Sequence, residues 1–293
     1  MIKPTSLNEQ ILFSTVRIES ILHNGTISTG TGFFFKFNFE PEITCLITNK
    51  HVVEGAVTGK FQLHESTIID GQTQPSGNFF TLELDRFMSR WIPHPDDNID
   101  LCAMLLQPLS SEARRLNKII FNIVLDDKLI FDDIALSKFN AVEEILMVGY
   151  PIGLWDDANN LPLIRRGITA THPFIDFKGK SIGVIDMACF PGSSGSPVLI
   201  LNEGTYGTKS GTMIGSSRAV LLGILYAGPC MIAEGEIVTK MIPTSNQPIS
   251  YTQFPIHLGY IVKAKEILVL GKRIHEVLRR RGENIGGATS AAF

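Results

Sequence analysis

The chain contains a histidine, an aspartate and a serine that each stand where an apolar run meets a polar loop, in the order His51, Asp100 and Ser194. A serine hydroxyl becomes a nucleophile when an imidazole takes its proton and a carboxylate fixes the tautomer of that imidazole. These residue types therefore indicate acyl transfer through a serine. Each residue also has a plainer explanation, because small residues crowd turns and a histidine at the end of a strand is often structural.

Ser194 lies in a turn of small residues, GSSGSP, at positions 192–197 between two apolar runs. Such a turn would hold the hydroxyl at the surface with little side-chain bulk around it. Glycine at position 192 allows the N–H groups of Gly192 and Ser194 to point at one spot, where they would bind an oxyanion. The alternative is a glycine- and serine-rich hairpin loop without chemistry.

Asp100 stands where the polar loop 91–100 enters the apolar run 101–106. A carboxylate in that position needs a hydrogen bond or an ionic partner, because burying it alone is costly. Asp96 and Asp97 lie inside the polar loop, so we expect them to be solvated. Asp100 is therefore the predicted partner of His51.

The elements that must position these residues are short strands. In the first half, alternating apolar residues predict strands over 11–22, 33–37, 43–53 and 101–106 and a hairpin over 61–84. Gly30 and Gly32 suggest that another segment packs close to the backbone there. A short serine-capped helix is predicted over 110–117, and 122–142 is interpreted as an elaborated connection.

The second half repeats this pattern. Strands are predicted over 145–150, 163–172, 181–189, 197–201, 220–226 and 257–262. Apolar residues at helical spacing predict a C-terminal helix over 264–281, and the small polar tail 282–293 is expected to be mobile. Many short strands separated by turns predict an all-β pair of barrels or a sandwich.

Charge argues against one class of partner. The 293 residues include 26 basic and 29 acidic side chains, which gives a net charge of −3. Nucleic-acid-binding proteins normally carry a basic excess. Nucleic acid is therefore not expected as a partner.

The four cysteines, Cys45, Cys102, Cys189 and Cys230, are scattered singly and form no CxxC pair. A zinc site is therefore not expected. The cysteines could form two disulfides, but three of them lie in apolar runs, which favours buried reduced thiols.

The first residues lack the continuous apolar core of a signal peptide, and the longest apolar stretch, 220–233, is interrupted and too short to cross a bilayer. The sequence therefore predicts a cytoplasmic protein without a membrane partner, a metal or another cofactor.

Three motifs carry a resemblance to a known family. TNKHVV at 48–53, IDLCAML at 99–105 and PGSSGSPV at 191–198 resemble the His, Asp and Ser motifs of trypsin-like serine peptidases. The closest similarity is to the HtrA branch of bacterial proteins. VGYPIGL, RRGITAT, GILYAG and HLGYIV also resemble that branch and follow in the same order, so that the similarity covers most of residues 10–275.

This resemblance implies a chymotrypsin-like fold of two six-stranded antiparallel β-barrels with the active site in the cleft between them. The barrels would cover 10–145, with His51 and Asp100, and 146–262, with Ser194. A helix at 263–281 and a tail at 282–293 would complete a single peptidase unit over 1–293.

The implied activity is that of a serine endopeptidase that acts on proteins or peptides through an acyl-enzyme on Ser194. The family's oxyanion hole corresponds to the N–H groups of Gly192 and Ser194. Its substrate-pairing strand corresponds to Leu225, Tyr226, Ala227 and Gly228, which would hold a peptide by β-augmentation.

Three features depart from the family pattern. Ser193 replaces the aspartate that pairs with a freed N-terminus in digestive zymogens, so activation by N-terminal cleavage is not expected. Ser196 replaces the usual second glycine and is expected to narrow the site. HtrA proteins carry a PDZ domain after the protease, whereas only a helix and a tail follow here, so regulation through PDZ peptide binding is not expected.

Ala188 stands six residues before the nucleophile, where trypsin-like enzymes often place the charge that selects basic residues. Without a charge there, the specificity pocket is expected to favour small or medium apolar residues over lysine or arginine. An activating protein partner is a further expectation, with 109–144 and 153–162 as candidate contacts. The alternative is a catalytically silent binding or scaffold module of the same fold.

Overall fold

The computed structural model describes residues 2–236, 249–255, 257–282 and 291–292. The strands of the first half are β1 (Thr15–Leu22), β2 (Ile27–Phe37), β3 (Ile43–Thr48), β4 (Ala56–Ile69), β5 (Gln72–Asp85), β6 (Ile92–Pro93), β7 (Cys102–Leu105), β8 (Ile120–Phe121) and β9 (Ile123–Asp126). Those that follow are β10 (Glu144–Gly149), β11 (Leu163–Thr169), β12 (Ile182–Asp186), β13 (Pro197–Asn202), β14 (Tyr206–Gly207), β15 (Met213–Ile214), β16 (Arg218–Ala227), β17 (Cys230–Glu236), β18 (Ile249–Pro255), β19 (Leu258–Lys263) and β20 (Ala291–Ala292). The α-helices are α1 (Leu7–Gln10), α2 (Lys50–Val53), α3 (Leu106–Arg115), α4 (Asp133–Leu136) and α5 (Lys265–Arg281).

The first half is built on one sheet whose strands follow the order β5-β4-β1-β2-β3-β7-β6, and each pair of neighbours is antiparallel. β8 pairs with β4, and β9 runs parallel to both β2 and β20 at its side. Apolar side chains from one face of the curved sheet pack with α3 into a single cluster around Phe61, Phe87 and Trp91.

The expectation of two closed barrels is wrong for this half, because the sheet is open in the described part of the chain. Closure would require the edge strand β5 to pair with the other edge strand, β6. Instead the chain leaves β5 at Asp85 and makes a helical turn at Met88–Arg90. Only Ile92 and Pro93 then pair with β7. Proline has no N–H to extend that ladder, so the two edges stay separate.

The second half does form a closed barrel, in the order β10-β11-β12-β19-β16-β13. Its core consists of alternating inward side chains, among them Met147, Ile185 and Val198, all with no exposed surface. The β11–β12 ladder is short, since it joins only Ile168 to Asp186 and Thr169 to Ile185.

The terminal helix α5 joins the halves. Ile267, Leu270 and Ile274 are completely buried in a cluster that contains residues of β2 and β3 from the first half and of β13, β16 and β19 from the second. The helix approaches β2 closely, because a Cβ on Gly271 would lie 2.5 Å from the ring of Phe37. Shared burial of this kind stabilises the arrangement of both halves.

Local departures from the predicted elements are concentrated at their ends. Residues 11–13 form a 3-10 turn ahead of β1, and α3 begins at Leu106 instead of at a serine cap. The strand expected over 43–53 ends at Thr48, and His51 lies in the one-turn helix α2. Within the expected connection 122–142 the structure forms β9 and α4, and the hairpins β14–β15 and β17–β18 were not predicted.

Other predictions are confirmed. The helix expected over 264–281 is α5, and the hairpin expected over 61–84 is β4–β5. Of the predicted tail, 283–290 and 293 lie outside the described residues, while β20 pairs with β9.

Cys45, Cys102 and Cys189 are buried free thiols, and burial raises the pKa of each. The side chain of Cys230 lies outside the described residues. Within the described ranges, no helix is long and apolar enough to cross a membrane. The same ranges contain no group of three or more His, Cys, Asp or Glu side chains that could hold a metal ion.

Candidate active site

His51 and Asp100 meet because the strands beside them are paired. Thr48 at the end of β3 lies opposite Cys102 at the start of β7, so the residues just beyond these positions emerge at the same edge of the sheet. His51 Nδ1 lies 2.5 Å from Asp100 Oδ2, and the His51 backbone N–H donates to Asp100 Oδ1 at 3.2 Å. Asn49 Nδ2 donates to the Asp100 carbonyl at 2.7 Å and fixes the loop.

This contact sets the chemistry of the imidazole. A carboxylate bound to Nδ1 leaves Nε2 as the nitrogen that can take a proton from a substrate or a nucleophile. The His51 side chain is 44% exposed and Asp100 24%, so the base is accessible while its partner is more sheltered. Asp96 and Asp97 are exposed, as predicted. Hydrogen bonds from Asn98 lower the pKa of Asp96, which caps its own loop.

A cavity of about 370 Å³ adjoins this pair on the first-half side. Beside His51 and Asp100, its walls include the apolar residues Val53, Met88, Trp91 and Pro93 and the charged residues Lys50, Glu54 and Asp97. The apolar part of such a cavity suits an apolar group of a ligand.

Ser194 lies in a tight turn that is attached to β16. Gly195 N–H donates to the Leu225 carbonyl at 2.8 Å, and Leu225 N–H donates to the Ser196 carbonyl at 3.0 Å. Gly192 and Gly195 have φ angles of +84° and +88°, which glycine adopts without strain. Ser194 itself is half-buried.

Thr31 of β2 ties this turn to the first half. Its N–H donates to the Ser194 carbonyl at 2.8 Å, and its hydroxyl donates to the Gly192 carbonyl at 3.1 Å. A Cβ on Gly195 would lie 1.9 Å from the Thr31 carbonyl oxygen, so only glycine fits there. Sequence reasoning did not assign Thr31 a role, although the glycines around it predicted a close approach. That prediction is confirmed, since a Cβ on Gly30 would lie 2.4 Å from Val52 Cγ1.

The contact between the halves that catalysis needs is not made. The hydrogen bonds of the described residues include none between the Ser194 hydroxyl and His51. The backbone N–H groups of Gly192 and Ser194 also donate to no acceptor in the described part of the chain. These two donors belong to the same turn as the half-buried Ser194 hydroxyl and are available to an acceptor that a ligand brings.

Of the predicted substrate-binding residues Ala188, Leu225, Tyr226, Ala227 and Gly228, the structure bonds Leu225 to the same turn. Both backbone groups of Leu225 are already bonded to it, as described above. Tyr226 stands at an irregularity in the β16–β19 ladder, with its ring centroid 6.4 Å from that of Tyr260. A Cβ on Gly228 would lie 3.6 Å from Cys189 Cβ, which brings the end of the β16 segment next to Ala188 and Cys189.

Arg165 of β11 is a site residue that sequence reasoning missed. Its Nη1 donates to the Ala188 carbonyl at 2.5 Å and its Nη2 donates to the Ser193 hydroxyl at 2.7 Å. Ser193 is completely buried, so this hydroxyl is held from beneath the turn. Strand alternation turns one of the adjacent Arg165 and Arg166 inward, but the sequence does not say which.

Comparisons with known proteins add little at the level of sequence. No known family model and no curated protein sequence matches the chain. Among solved structures, it is similar to the HtrA-type protease AlgW with a tripeptide, at 14% identity and a TM-score of 0.43. The match covers 93% of this chain and 62% of the AlgW chain, so this chain spans less than two thirds of that protein.

A second similar structure is an inactive serine-to-alanine form of Rv3671c from M. tuberculosis H37Rv. It shares 13% identity at a TM-score of 0.39, and the match covers 93% of this chain and 89% of the other. At such identities, the geometry of the site residues themselves must carry any assignment of function.

Proposed function

We propose that this chain is a trypsin-like serine endopeptidase of the HtrA-like type, which hydrolyses proteins or peptides through an acyl-enzyme on Ser194. The observation that carries the proposal is the contact of 2.5 Å between His51 Nδ1 and Asp100 Oδ2. It gives an exposed imidazole with a free Nε2 and a carboxylate placed to stabilise the imidazolium.

In the proposed reaction, the Ser194 Oγ attacks the carbonyl carbon of the scissile bond while its proton passes to His51 Nε2. The resulting oxyanion accepts hydrogen bonds from the N–H groups of Gly192 and Ser194. The tetrahedral intermediate then collapses, the C–N bond breaks, and the amine leaves with the proton from His51. Water, activated by the same imidazole, hydrolyses the ester and restores the hydroxyl.

The proposal requires Ser194 and His51 to form a hydrogen bond that the structure does not contain. Catalytic hydrogen bonds are often long in unliganded enzymes and tighten when substrate binds. We therefore include in the proposal that a substrate or an activating protein completes the site by moving the turn around Ser194.

The segment that begins at Ile152 is placed to transmit a movement to the turn around Ser194. The backbone N–H of Ile152 donates to the carbonyl of Pro191, the residue before Gly192, at 2.5 Å. Ile152 has φ +50°, a strained conformation for a β-branched residue. Ile152 and Leu154 are 70% and 56% exposed, which offers apolar contacts for a protein partner just outside the turn.

Labelling with a fluorophosphonate probe tests the proposal. The wild-type protein should form a covalent adduct that is lost in Ser194→Ala and strongly reduced in His51→Ala. Ser196→Ala is the matched control, because that buried hydroxyl has no hydrogen-bond partner among the described residues. Its labelling should equal that of the wild type.

The second candidate function is a catalytically silent binding module, which the missing contact between Ser194 and His51 favours. It predicts no labelling of the wild type under any condition, including the presence of cell lysate as a source of activating partners. That outcome would exclude the peptidase.

A further inference from the structure

The turn around Ser194 lies beside the part of β11 that does not pair with β12. Because β11 and β12 pair only at residues 168–169 and 185–186, the earlier part of β11 has no strand on that side. The segment 187–193 covers it, and Arg165 points inward beneath this segment. Its side chain stays half-buried, whereas inward residues elsewhere in this barrel are sealed.

The charge of Arg165 is not balanced within the described part of the protein. Its two bonded acceptors, a carbonyl and a hydroxyl, are neutral, and its Nε is buried without an acceptor. Burial lowers the pKa of the guanidinium, and the charge interaction that opposes this shift comes from Cys189, whose own pKa burial raises to about 11. That thiol is neutral at pH 7. A sheltered cation without a counter-ion is costly, so an incoming carboxylate would find a strong partner here.

Arg165 lies next to the proposed nucleophile, because its two acceptors belong to residues 188 and 193 of the segment that leads into Ser194. The side chain of Ala188 is only a methyl group. Cys189 Sγ lies 2.5 Å from where a Cβ on Gly259 would be, and Cys189 Cβ lies 3.6 Å from where one on Gly228 would be. The segments around 189, 228 and 259 are therefore packed closely together, and the side chain of Arg165, which is partly exposed, remains open to a ligand.

We propose that Arg165 is a specificity-determining residue that binds the side-chain carboxylate of an aspartate or glutamate directly before the scissile bond. This inference deepens the proposed peptidase function and rests on it. It replaces the expectation of an uncharged pocket that selects apolar residues. The exclusion of lysine and arginine is retained, because the guanidinium repels both.

The competing role of Arg165 is purely positional, since it also joins Ala188 to Ser193. A residue that only holds the turn in place affects every substrate equally. A residue that recognises the substrate changes the ratio between charged and uncharged substrates. The ratio is therefore the quantity to measure.

The first experiment uses pairs of quenched fluorescent peptides that differ only in glutamate against glutamine before the cleaved bond. We expect the wild type to prefer glutamate in kcat/KM by about tenfold to a hundredfold, as for a hydrogen bond to a charged group. Arg165→Met should abolish the preference. The control is Arg166→Met, because Arg166 is exposed on the other face of β11 and pairs with Glu144.

The second experiment separates specificity from catalysis. Ser194→Ala is titrated with labelled product peptides that end in glutamate or in glutamine, and binding is followed by fluorescence anisotropy. Tighter binding of the peptide that ends in glutamate supports the role of Arg165. This holds even if the wild type does not react with the fluorophosphonate probe, because that result would exclude only the proposed peptidase activity. No preference for glutamate, whether both peptides bind or neither does, overturns the inference. The kcat/KM ratio of the wild type and the peptide binding of Ser194→Ala are both measured with Arg165 present. They therefore test the inference even if Arg165→Met does not fold.

Discussion

The two halves contribute to the site in opposite ways. The first half is an open sheet, yet its two residues of the candidate site, His51 and Asp100, are in contact at 2.5 Å. The second half is a closed barrel, yet its candidate nucleophile Ser194 has no hydrogen bond to His51 among the described residues. Closure of a barrel therefore does not by itself assemble the chemistry.

The difference follows from how each part is held. One ladder between β3 and β7 sets both His51 and Asp100, so their geometry is determined within a few residues of paired backbone. Ser194 lies on a turn whose position depends on β16, on Thr31 across the interface and on Arg165 beneath it. In the proposed reaction the first half would thus supply a base that one ladder positions, and the second a nucleophile whose place depends on three separate segments.

Removal of the base should have the largest effect. We expect His51→Ala to lower kcat/KM by about 10,000-fold or more, because Ser194 loses its proton acceptor. Asp100→Asn should cost a similar factor, since an amide cannot fix the tautomer or stabilise the imidazolium. Steady-state hydrolysis of a peptide substrate measures both.

Asp97→Asn is the matched control for the acid, because Asp97 is exposed in the same loop. It should leave kcat/KM nearly unchanged. A severe loss of kcat/KM in Asp97→Asn with a mild loss in Asp100→Asn would mean that Asp97, and not Asp100, is the acidic partner of His51.

The sequence predicted the part of the site that depends on local order. His51 and Asp100 stand next to apolar runs that become paired strands, and Ser194 stands in a turn whose glycines are required by nearby backbone. Motif order was enough to propose all three, and the structure brings His51 and Asp100 into contact, even though His51 lies in a helical turn rather than at a strand end.

The missed features depend on contacts between distant segments. Whether the first sheet closes depends on the turn at Met88–Arg90, which separates the end of β5 from β6, the strand that pairs with β7. The role of Arg165 depends on which of two adjacent arginines faces inward and on the segment 187–193 that covers it. No local pattern encodes either arrangement, because each is decided by tertiary packing.

The next prediction concerns the pH dependence of the free energy of unfolding, which a buried histidine of the first half should control. His64 of β4 is buried against Phe13, with ring centroids 4.9 Å apart, and burial lowers its pKa to about 4. A contact with the Asn160 backbone offsets part of this shift. Between pH 6.5 and 4 the unfolded chain binds a proton that the folded protein excludes. The free energy of unfolding should therefore fall by up to about 3 kcal/mol over this range as the pH decreases.

Urea unfolding at a series of pH values measures this effect. His64→Phe should remove most of the loss in the free energy of unfolding at low pH. Any destabilisation by the larger ring is the same at every pH, so it cancels when one variant is compared between pH values. His23→Gln, which alters an exposed histidine, should keep it. An equally steep loss in His64→Phe would place the acid-sensitive group elsewhere.

The smallest expected effect tests the link between the halves directly. Thr31→Val keeps the shape of the side chain and the backbone bond to Ser194, but it removes the hydroxyl that donates to the Gly192 carbonyl and accepts from Tyr150 N–H at 3.2 Å. A misplaced Gly192 should weaken oxyanion binding and lower kcat by about tenfold, with KM less affected. Thr31→Ser retains the hydroxyl and should retain the rate. If Thr31→Val and the wild type have the same kcat and unfold at the same urea concentration, the turn holds its position without the Thr31 hydroxyl. The backbone bond from Thr31 to Ser194 and the contacts within the second barrel would then be enough to place it.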